Sequence, residues 1–455
     1  MDKKKEYLKI LNTYKKNIDF YNVSKKCLNK TAQYKGDRLT IYETSVCVVA
    51  PTLISYMLWV LKEAQKRDIK KLYFLARDGL IMYEISKILI QNYNFNIECR
   101  YLYCSRLSLI NPIYIVDKEE AINFYFKADH KVTINVILKK MALKANERKI
   151  IIEELNIKNK NLNKPLDKQE IKILKNNLIK SKISDKLLSD KSGKEYEDVL
   201  QYFREQGMFD EKKYAIVDTG WIGTIQRCLR ILLESHTKNS LNLIGFYFGI
   251  TAPTNSKDGE YLSFYFKKKL IDRKIMFFNV ELFECFCYAN HGTTIGYKRS
   301  KEIIYPILKK HKKNSLSELQ FNTLIMYTKL FCTHNYYINL SVKNLDNFLS
   351  PIIKKIMLYP SYDEAKVYGR ILSSDVPESF VRKNLKSKII KYFVIHRIFE
   401  KLKIKKKYDN SESLWIMGSI ALIDSKFLKR YLTINIWIYE FLRITIKQFQ
   451  RSRKI

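Results

Sequence analysis

Two short apolar runs in this chain each stop at a glycine-containing corner that opens into a segment with helical spacing. The first run covers residues 71–76 and ends at Arg77, Asp78 and Gly79. The second covers residues 214–218 and leads into the segment 219–224. Runs of five or six apolar residues suit buried strands, and a strand, a tight loop and a helix in succession build parallel sheets. The sequence therefore predicts an α/β fold with a parallel-sheet core.

The rest of the chain can be divided around this core by composition and periodicity. Residues 99–104 and 243–249 read as two further strands, and residues 45–66 read as a buried helix. We expect an N-terminal helical segment (1–44), a core formed by 45–111 and 196–300, a Lys-rich helical insertion (112–195), and a mostly helical C-terminal region (301–455). The insertion is expected to include a flexible, charged stretch, which could close over the core as a lid or remain a surface loop.

The uncharged stretch 46–61 allows two interpretations. Its 16 residues are fewer than a typical membrane span, and Pro51 lies within it. The helical pattern continues into charged residues, and a strand follows soon after. These features favour a buried core helix over a membrane span.

Charge and cysteine usage narrow the possible environments. The formal net charge of +37 reflects either the Lys-rich usage of an AT-rich genome or attraction to anions. The eight cysteines form no C-x-x-C pair and the six histidines do not cluster near them, so neither a zinc site nor a disulfide framework is expected. The N-terminus lacks an apolar leader-like run, and we find no nucleic-acid-binding motif. We therefore expect a cytoplasmic protein that does not act on nucleic acid.

Both corners carry groups that could hold an anionic ligand. In open α/β sheets, ligands bind outside the carboxyl ends of the strands, and helix N-termini favour phosphates. The candidate binding residues at the corners are Ala76, Arg77, Gly79, Thr219, Gly220, Trp221, Gly223 and Thr224. Asp78 and Asp218 add carboxylates, and Asp218 could hold sugar hydroxyls or a metal-bound water. Either corner taken alone would equally suit a tight connection with no ligand.

Other polar groups could extend such a site. Ser105 and Arg106 end the strand 99–104, and their alternative role is a surface cap. Glu281 and Glu284 are three residues apart, which puts both carboxylates on one helical face. They could organise a metal or activate an acceptor, or they could belong to an ordinary amphipathic helix. Trp221 could face a ligand or cover the core.

Several motifs, in this order, resemble a module found beside haloacid-dehalogenase-type phosphatases in bacterial capsule and O-antigen gene products. They are FLARDG (74–79), YCSR (103–106), IVDTGWIGTIQ (216–226), GFYFGI (245–250), and ELFE (281–284) with HGTTIGY (291–297). The resemblance covers roughly residues 45–110 and 195–300, somewhat under half of the chain. It leaves out the insertion and the C-terminal third.

The layout of that module is similar to type I phosphoribosyltransferases, and the resemblance implies a parallel-sheet core of that topology. It implies that residues 76–79 hold pyrophosphate, with help from Arg106. Asp218 would then bind the ribose hydroxyls and Gly220–Thr224 the 5-phosphate, while Mg²⁺ would be bound mainly by the donor together with one carboxylate, Asp218. The candidate catalytic residues are Asp218, Asp78, Glu281 and Glu284. The sequence departs from the usual signature because it has one acid instead of two and a shorter loop.

The function that this resemblance implies is a glycosyltransferase. It would move a 5-phosphoribofuranosyl group from phosphoribosyl pyrophosphate to a lipid-linked glycan acceptor, and a separate phosphatase would act on the product. The alternatives are a haloacid-dehalogenase-type phosphohydrolase and a non-enzymatic protein that binds a membrane or anions. The phosphohydrolase needs Asp-x-Asp after a strand, but Gly220 stands two residues after Asp218 and Leu80 two residues after Asp78.

The last 30 residues combine large apolar side chains with many Lys and Arg residues. This pattern is typical of an amphipathic helix that lies on an anionic inner leaflet, which would make the protein peripheral on that membrane. The alternative is a terminal core helix followed by a solvated basic tail.

Overall fold

The computed structural model of the chain describes residues 2–14, 20–127, 132–157, 161–251, 254–267, 274–275, 278–333, 345–371 and 414–438. A five-stranded sheet lies at the centre, and all of its neighbouring strands are parallel. Its strands are β1 (Lys71–Leu75), β2 (Glu98–Leu102), β3 (Tyr214–Trp221), β4 (Ile244–Ile250) and β5 (Glu260–Lys267). The predicted α/β class with a parallel sheet is confirmed.

Helices surround this sheet and precede its first strand. Before β1 lie α1 (Lys3–Thr13), α2 (Phe20–Leu28), α3 (Gly36–Thr44), a π-helical segment (Ser45–Val49) and α4 (Ala50–Lys66). Between β1 and β2 lies α5 (Gly79–Tyr93), and between β3 and β4 lies α12 (Thr224–Thr237). The connection from β2 to β3 contains α6 (Arg106–Val116), α7 (Lys118–Tyr125), α8 (Ile134–Lys140), α9 (Ala145–Glu154), α10 (Lys168–Lys180) and α11 (Lys182–Glu205).

The remaining elements follow β5. They are α13 (Val280–Phe286), the antiparallel pair β6 (Thr294–Ser300) and β7 (Ile303–Leu308), α14 (Ser315–Cys332), α15 (Leu345–Leu358), α16 (Tyr362–Tyr368) and α17 (Ile416–Ala421). Residues 426–438 are also helical.

The strand order β2-β1-β3-β4-β5 determines where a ligand could bind. The chain first adds β2 on one side of β1 and then returns to add β3 on the other side. The strand order thus reverses between β1 and β3, and this is the position at which open α/β sheets form their ligand crevice. The two corners singled out in the sequence follow β1 and β3, so both lie at this crevice.

The sheet separates two hydrophobic cores, as a doubly wound fold requires. Successive residues of β1 alternate between them, with Leu72 and Phe74 in the first core and Tyr73 and Leu75 in the second. Side chains of α4 and α5 fill the first core, whereas α6, α11 and α12 fill the second. The alternation follows from the two-residue period of a strand.

The uncharged stretch near the N-terminus belongs to one continuous helix, Gly36–Lys66. Among the described residues it is the only helix that could cross a membrane by length and composition, and 94% of its most apolar window is buried inside the protein. Tyr56 ties it to the sheet, because its hydroxyl lies 2.8 Å from the Asp218 carbonyl oxygen and 2.9 Å from that of Phe246. This packing is that of a core helix.

The elements differ from the sequence-based expectation in three places. The predicted third strand stops at Asp218, but β3 continues to Trp221, since Gly220 and Trp221 pair with Gly249 and Ile250 of β4. The edge strand β5 was not among the four predicted strands. The predicted helical region 301–455 begins with strand β7, whose apolar run is interrupted by Pro306, and four residues of its partner β6 are exposed.

A buried amide holds the end of the sheet that contains β4 and β5. Gln226 of α12 is fully buried, and its Nε2 donates to the carbonyl oxygens of Leu243 (2.9 Å) and Asp258 (3.0 Å). Its Oε1 accepts from the Tyr247 hydroxyl at 2.7 Å. The segments that lead into β4 and β5 are thereby fastened to one helix.

We predict that Gln226→Leu lowers the free energy of unfolding by about 3 kcal/mol, because buried polar partners would lose their hydrogen bonds. Urea denaturation measures the change. Gln201→Leu is the matched control, since the Gln201 side chain bonds only along its own helix to Glu205 and Arg204. Equal losses in the two variants would contradict this role for Gln226.

Candidate functional site at the β1–β3 crevice

The two corners are joined by hydrogen bonds through Thr219. Its hydroxyl donates to Asp78 Oδ2 at 3.1 Å, and its backbone N–H donates to Asp218 Oδ1 at 2.8 Å. Thr219 itself is buried. The carboxylates of Asp78 and Asp218, which are 140 residues apart in sequence, are therefore held on either side of one threonine.

The carboxyl group of Asp218 has a strongly altered acidity. Burial, and after it the nearby charge of Asp78, raises its pKa to about 7. The hydrogen bonds from Thr219 and the charge of Arg106 oppose this shift. A carboxyl group with a pKa close to neutrality in a crevice is a feature of functional sites.

Helix α13 brings a third carboxylate to the same place. Glu284 Oε1 accepts a hydrogen bond from Trp221 Nε1 at 3.0 Å. The buried thiol of Cys287 has a raised pKa, first because of burial and then because of Asp78, Glu284 and Asp218. The charges of the carboxylates of both corners and of α13 all act on this one thiol, so these three acids lie in the same region.

Trp221 serves as part of the core as well as of the crevice. Its ring packs against Phe278 and Phe283, with centroids 5.3 and 5.7 Å away. Its indole nitrogen fixes Glu284. Of the two roles left open by the sequence, the structure shows the one in the core, since the ring covers aromatic residues while its polar edge orients an acid.

Two arginines and a neutral histidine lie in the same region as the acids. Arg106 is exposed, and its charge acts on Asp218. Burial lowers the pKa of His291, and Arg77 lowers it further. His291 Nδ1 lies 2.9 Å from the Gly292 carbonyl oxygen, which can only accept, so Nδ1 holds the proton and Nε2 accepts from the Tyr101 hydroxyl at 2.7 Å.

Both helices that open from the corners begin without a side-chain cap. The N-cap residue of α5 is Asp78, whose side chain does not bond to its helix, and that of α12 is Gly223, which has no side chain. The first N–H groups of an α-helix have no partner inside the helix, and the helix dipole adds partial positive charge there. Two such N-termini at one crevice suit a ligand with two anionic groups.

The glycines of the second corner are required by the backbone. Gly220 and Gly223 have φ of +136° and +70°, values that L side chains rarely adopt. A Cβ on Gly220 would also overlap the Gly249 carbonyl oxygen, and one on Gly223 would overlap the Tyr261 ring. Close pairing of β3 with β4 explains Gly220, while the turn into α12 explains Gly223. Thr224, the first residue of α12, is buried.

Ser105 has a defined structural role. Its hydroxyl donates to the Thr294 carbonyl oxygen at 2.6 Å and accepts from the N–H groups of Leu107 and Ser108. It is the N-cap of α6, and these bonds use its one donor and both acceptor positions. Ser105 therefore fastens α6 to β6.

The remaining predicted residues lie in the first corner and in α13. Ala76, Arg77 and Gly79 form the first corner, and Gly79 packs closely against Phe74. Glu281 lies in the first turn of α13. Within the described residues no group of three or more His, Cys, Asp or Glu side chains could hold a metal ion.

Several residues of the crevice were not selected from the sequence as site residues. Tyr56, Tyr101, Cys287 and His291 lie in separate segments, and only the fold brings them to the same crevice. His291 stands in one of the motifs quoted above, and that position is the one signal that could have indicated it. Tyr56 and Cys287 have no local signal, because they occur in apolar stretches typical of any core.

The fold defines an α/β protein whose two corners lie at the strand-order reversal of a parallel sheet. No family model matches the sequence, and no curated protein matches it either.

We predict that Asp218→Asn makes the protein more stable at pH 8, by about 2 kcal/mol, with a smaller gain at pH 5. In the unfolded chain the carboxyl ionises near its ordinary pKa of 3.8, whereas in the folded chain it stays protonated up to about pH 7. The folded state therefore loses stability as the pH rises from about 4 to about 7, and a neutral amide removes this loss.

Urea denaturation at the two pH values measures the effect of Asp218→Asn. Asp190→Asn, on the exposed side of α11, is the control and should show no comparable gain. A gain that is the same at pH 5 and pH 8 would show that the Asp218 charge is not its cause.

We also predict that Gly220→Ala lowers the free energy of unfolding by about 3 kcal/mol, because of its positive φ and the clash with β4. Gly193→Ala is the control. Gly193 lies inside α11, and the nearest atom to a Cβ there would be 3.5 Å away. Alanine favours the helix, so this variant should be as stable as the wild type or slightly more stable. Thermal unfolding of both variants tests the difference.

Proposed function

We propose that the chain is a phosphoribosyltransferase-type glycosyltransferase that takes phosphoribosyl pyrophosphate as donor and a glycan as acceptor. The observation that carries the proposal is the pair of uncapped helix N-termini, α5 and α12, at the two corners of one crevice. A donor with phosphate groups at both ends matches two anion sites separated by carboxylates. The motif resemblance described above supports the same substrate class.

The residues can be assigned roles within this proposal. The first corner, with Arg77 and the N-terminus of α5, would hold the pyrophosphate, and Arg106 would add a second cation. The second corner, from Gly220 to Thr224 with the N-terminus of α12, would hold the 5-phosphate. Asp218 would bind the ribose hydroxyls. The C1–O bond to pyrophosphate breaks as the acceptor oxygen bonds to C1, so the protein must mainly position the groups and exclude water.

The carboxylates at the two corners are suitable ligands for Mg²⁺. Asp78 and Asp218 are hard oxygen ligands held on either side of Thr219. Mg²⁺ in phosphate-transfer sites usually takes one or two carboxylates and fills its shell with substrate oxygens and water. Asp218, with Asp78 beside it, would hold the ion, which would neutralise charge on the departing pyrophosphate. Glu284 would take the acceptor proton, an assignment supported by the hydrogen bond that it accepts from Trp221 of the second corner.

We predict that phosphoribosyl pyrophosphate with Mg²⁺ raises the melting temperature by several degrees, because a ligand that binds only the folded state stabilises it. Ribose 5-phosphate or pyrophosphate alone should give a smaller rise, since each fills one corner. Asp218→Asn should lose the transfer of phosphoribose to a glycan acceptor, followed by mass spectrometry, while it remains folded. Asp190→Asn is again the control and should retain both properties.

Three results would separate this proposal from its rivals. No thermal shift at millimolar donor would reject phosphoribosyl pyrophosphate as the ligand. Transfer activity that survives in Asp218→Asn would remove Asp218 from the site. Hydrolysis of a simple phosphate ester, without transfer, would favour the phosphohydrolase instead.

A further inference from the structure

The helix 426–438 turns a large apolar face to solvent. The four side chains of this outer face follow the spacing i, i+4, i+7 and i+11, which places them on one side of a helix. They are Phe427, Tyr431, Ile434 and Ile438, with exposed fractions of 81%, 43%, 58% and 48%. The opposite side holds the helix to the protein, since Leu432 is buried against Ile420 of α17. The outer face is thus not needed to anchor the helix.

The charges on this helix are all positive. Lys426, Lys429 and Arg430 stand among the apolar residues, and Arg430 lies one turn from both Phe427 and Ile434. The sequence from 426 to 438 contains no acid. Residues 439–455, which lie outside the described residues, add five Lys or Arg residues and one acid, Glu440. An apolar stripe with cations beside it is complementary to a surface that has anionic groups on the outside and an apolar layer beneath them.

A second copy of the chain would fit this face poorly. A two-fold contact places the same patch of both copies together, so the patch with Lys426 and Arg430 would face an identical patch whose charges are also all positive. No acid within the helix could offset that repulsion. A bilayer with anionic headgroups has no such conflict, because lipid phosphates pair with the cations while the apolar side chains enter the headgroup boundary.

We propose that the outer face of helix 426–438 docks the protein on an anionic membrane surface. The helix would lie in the plane of the interface, with Phe427 and Ile434 inserted and the cations at the level of the lipid phosphates. The inference stands on exposure, spacing and charge, and it does not depend on the function of the β1–β3 crevice.

Flotation of the full-length chain with vesicles tests this docking. The wild type should float with vesicles of phosphatidylglycerol and phosphatidylcholine. With vesicles of phosphatidylcholine alone it should remain in the bottom fraction. The double variant Phe427→Glu/Ile434→Glu should lower the bound fraction roughly tenfold or more, since it replaces inserted groups by acids. Lys426→Gln/Arg430→Gln, at the two exposed cations nearest the outer face, should weaken binding and make it less sensitive to salt.

The control is Ile173→Glu/Ile183→Glu, which adds the same charge at exposed isoleucines of α10 and α11. It should bind vesicles as the wild type does, and thermal unfolding verifies that all variants are folded. The proposal is overturned if the wild type does not float with anionic vesicles, or if both double glutamate variants lose binding equally. It is also overturned if Phe427→Glu/Ile434→Glu instead dissolves a dimer, or abolishes binding to duplex DNA as strongly as binding to vesicles.

Discussion

The parallel pairing of β1 with β3 decides where the groups of the candidate site lie. Four consecutive residues of each strand are in register, from Lys71 with Tyr214 to Phe74 with Val217. The two strands end at the same edge, so the corners that follow them meet although 140 residues separate Asp78 from Asp218. The bonds of Thr219 to both acids then complete the crevice.

The core helix and α13 both support the strands that form the crevice. Tyr56 of α4 bonds to carbonyl oxygens within β3 and β4, and the aromatic cluster around Trp221 connects β3 to α13. Both supports are apolar, and they lower the polarity around Asp218. The raised pKa of that carboxyl group is the electrostatic consequence, because burial disfavours its charged form.

A stability cost at Asp218 has a reason under the proposed function. Two neighbouring acids in a partly buried crevice repel one another, and the fold tolerates them because its two cores are extensive. In the proposed reaction, Mg²⁺ and the donor would relieve that repulsion. Functional sites commonly combine strained electrostatics with a rigid scaffold in this way.

The sequence alone determined the α/β class, four of the five strands of the sheet and the two corners, because apolar runs of strand length followed by glycine and helical spacing are local signals. It missed the extension of β3 to Trp221, since Gly220 reads as a loop until Gly249 of β4 is beside it. It also missed the edge strand β5 and the pair β6 and β7, in which four residues of β6 are exposed and Pro306 interrupts β7. The contacts of Asp78, Asp218, Glu284 and His291 were decided only by the tertiary structure, because strand order and helix packing join segments that carry no information about one another in sequence.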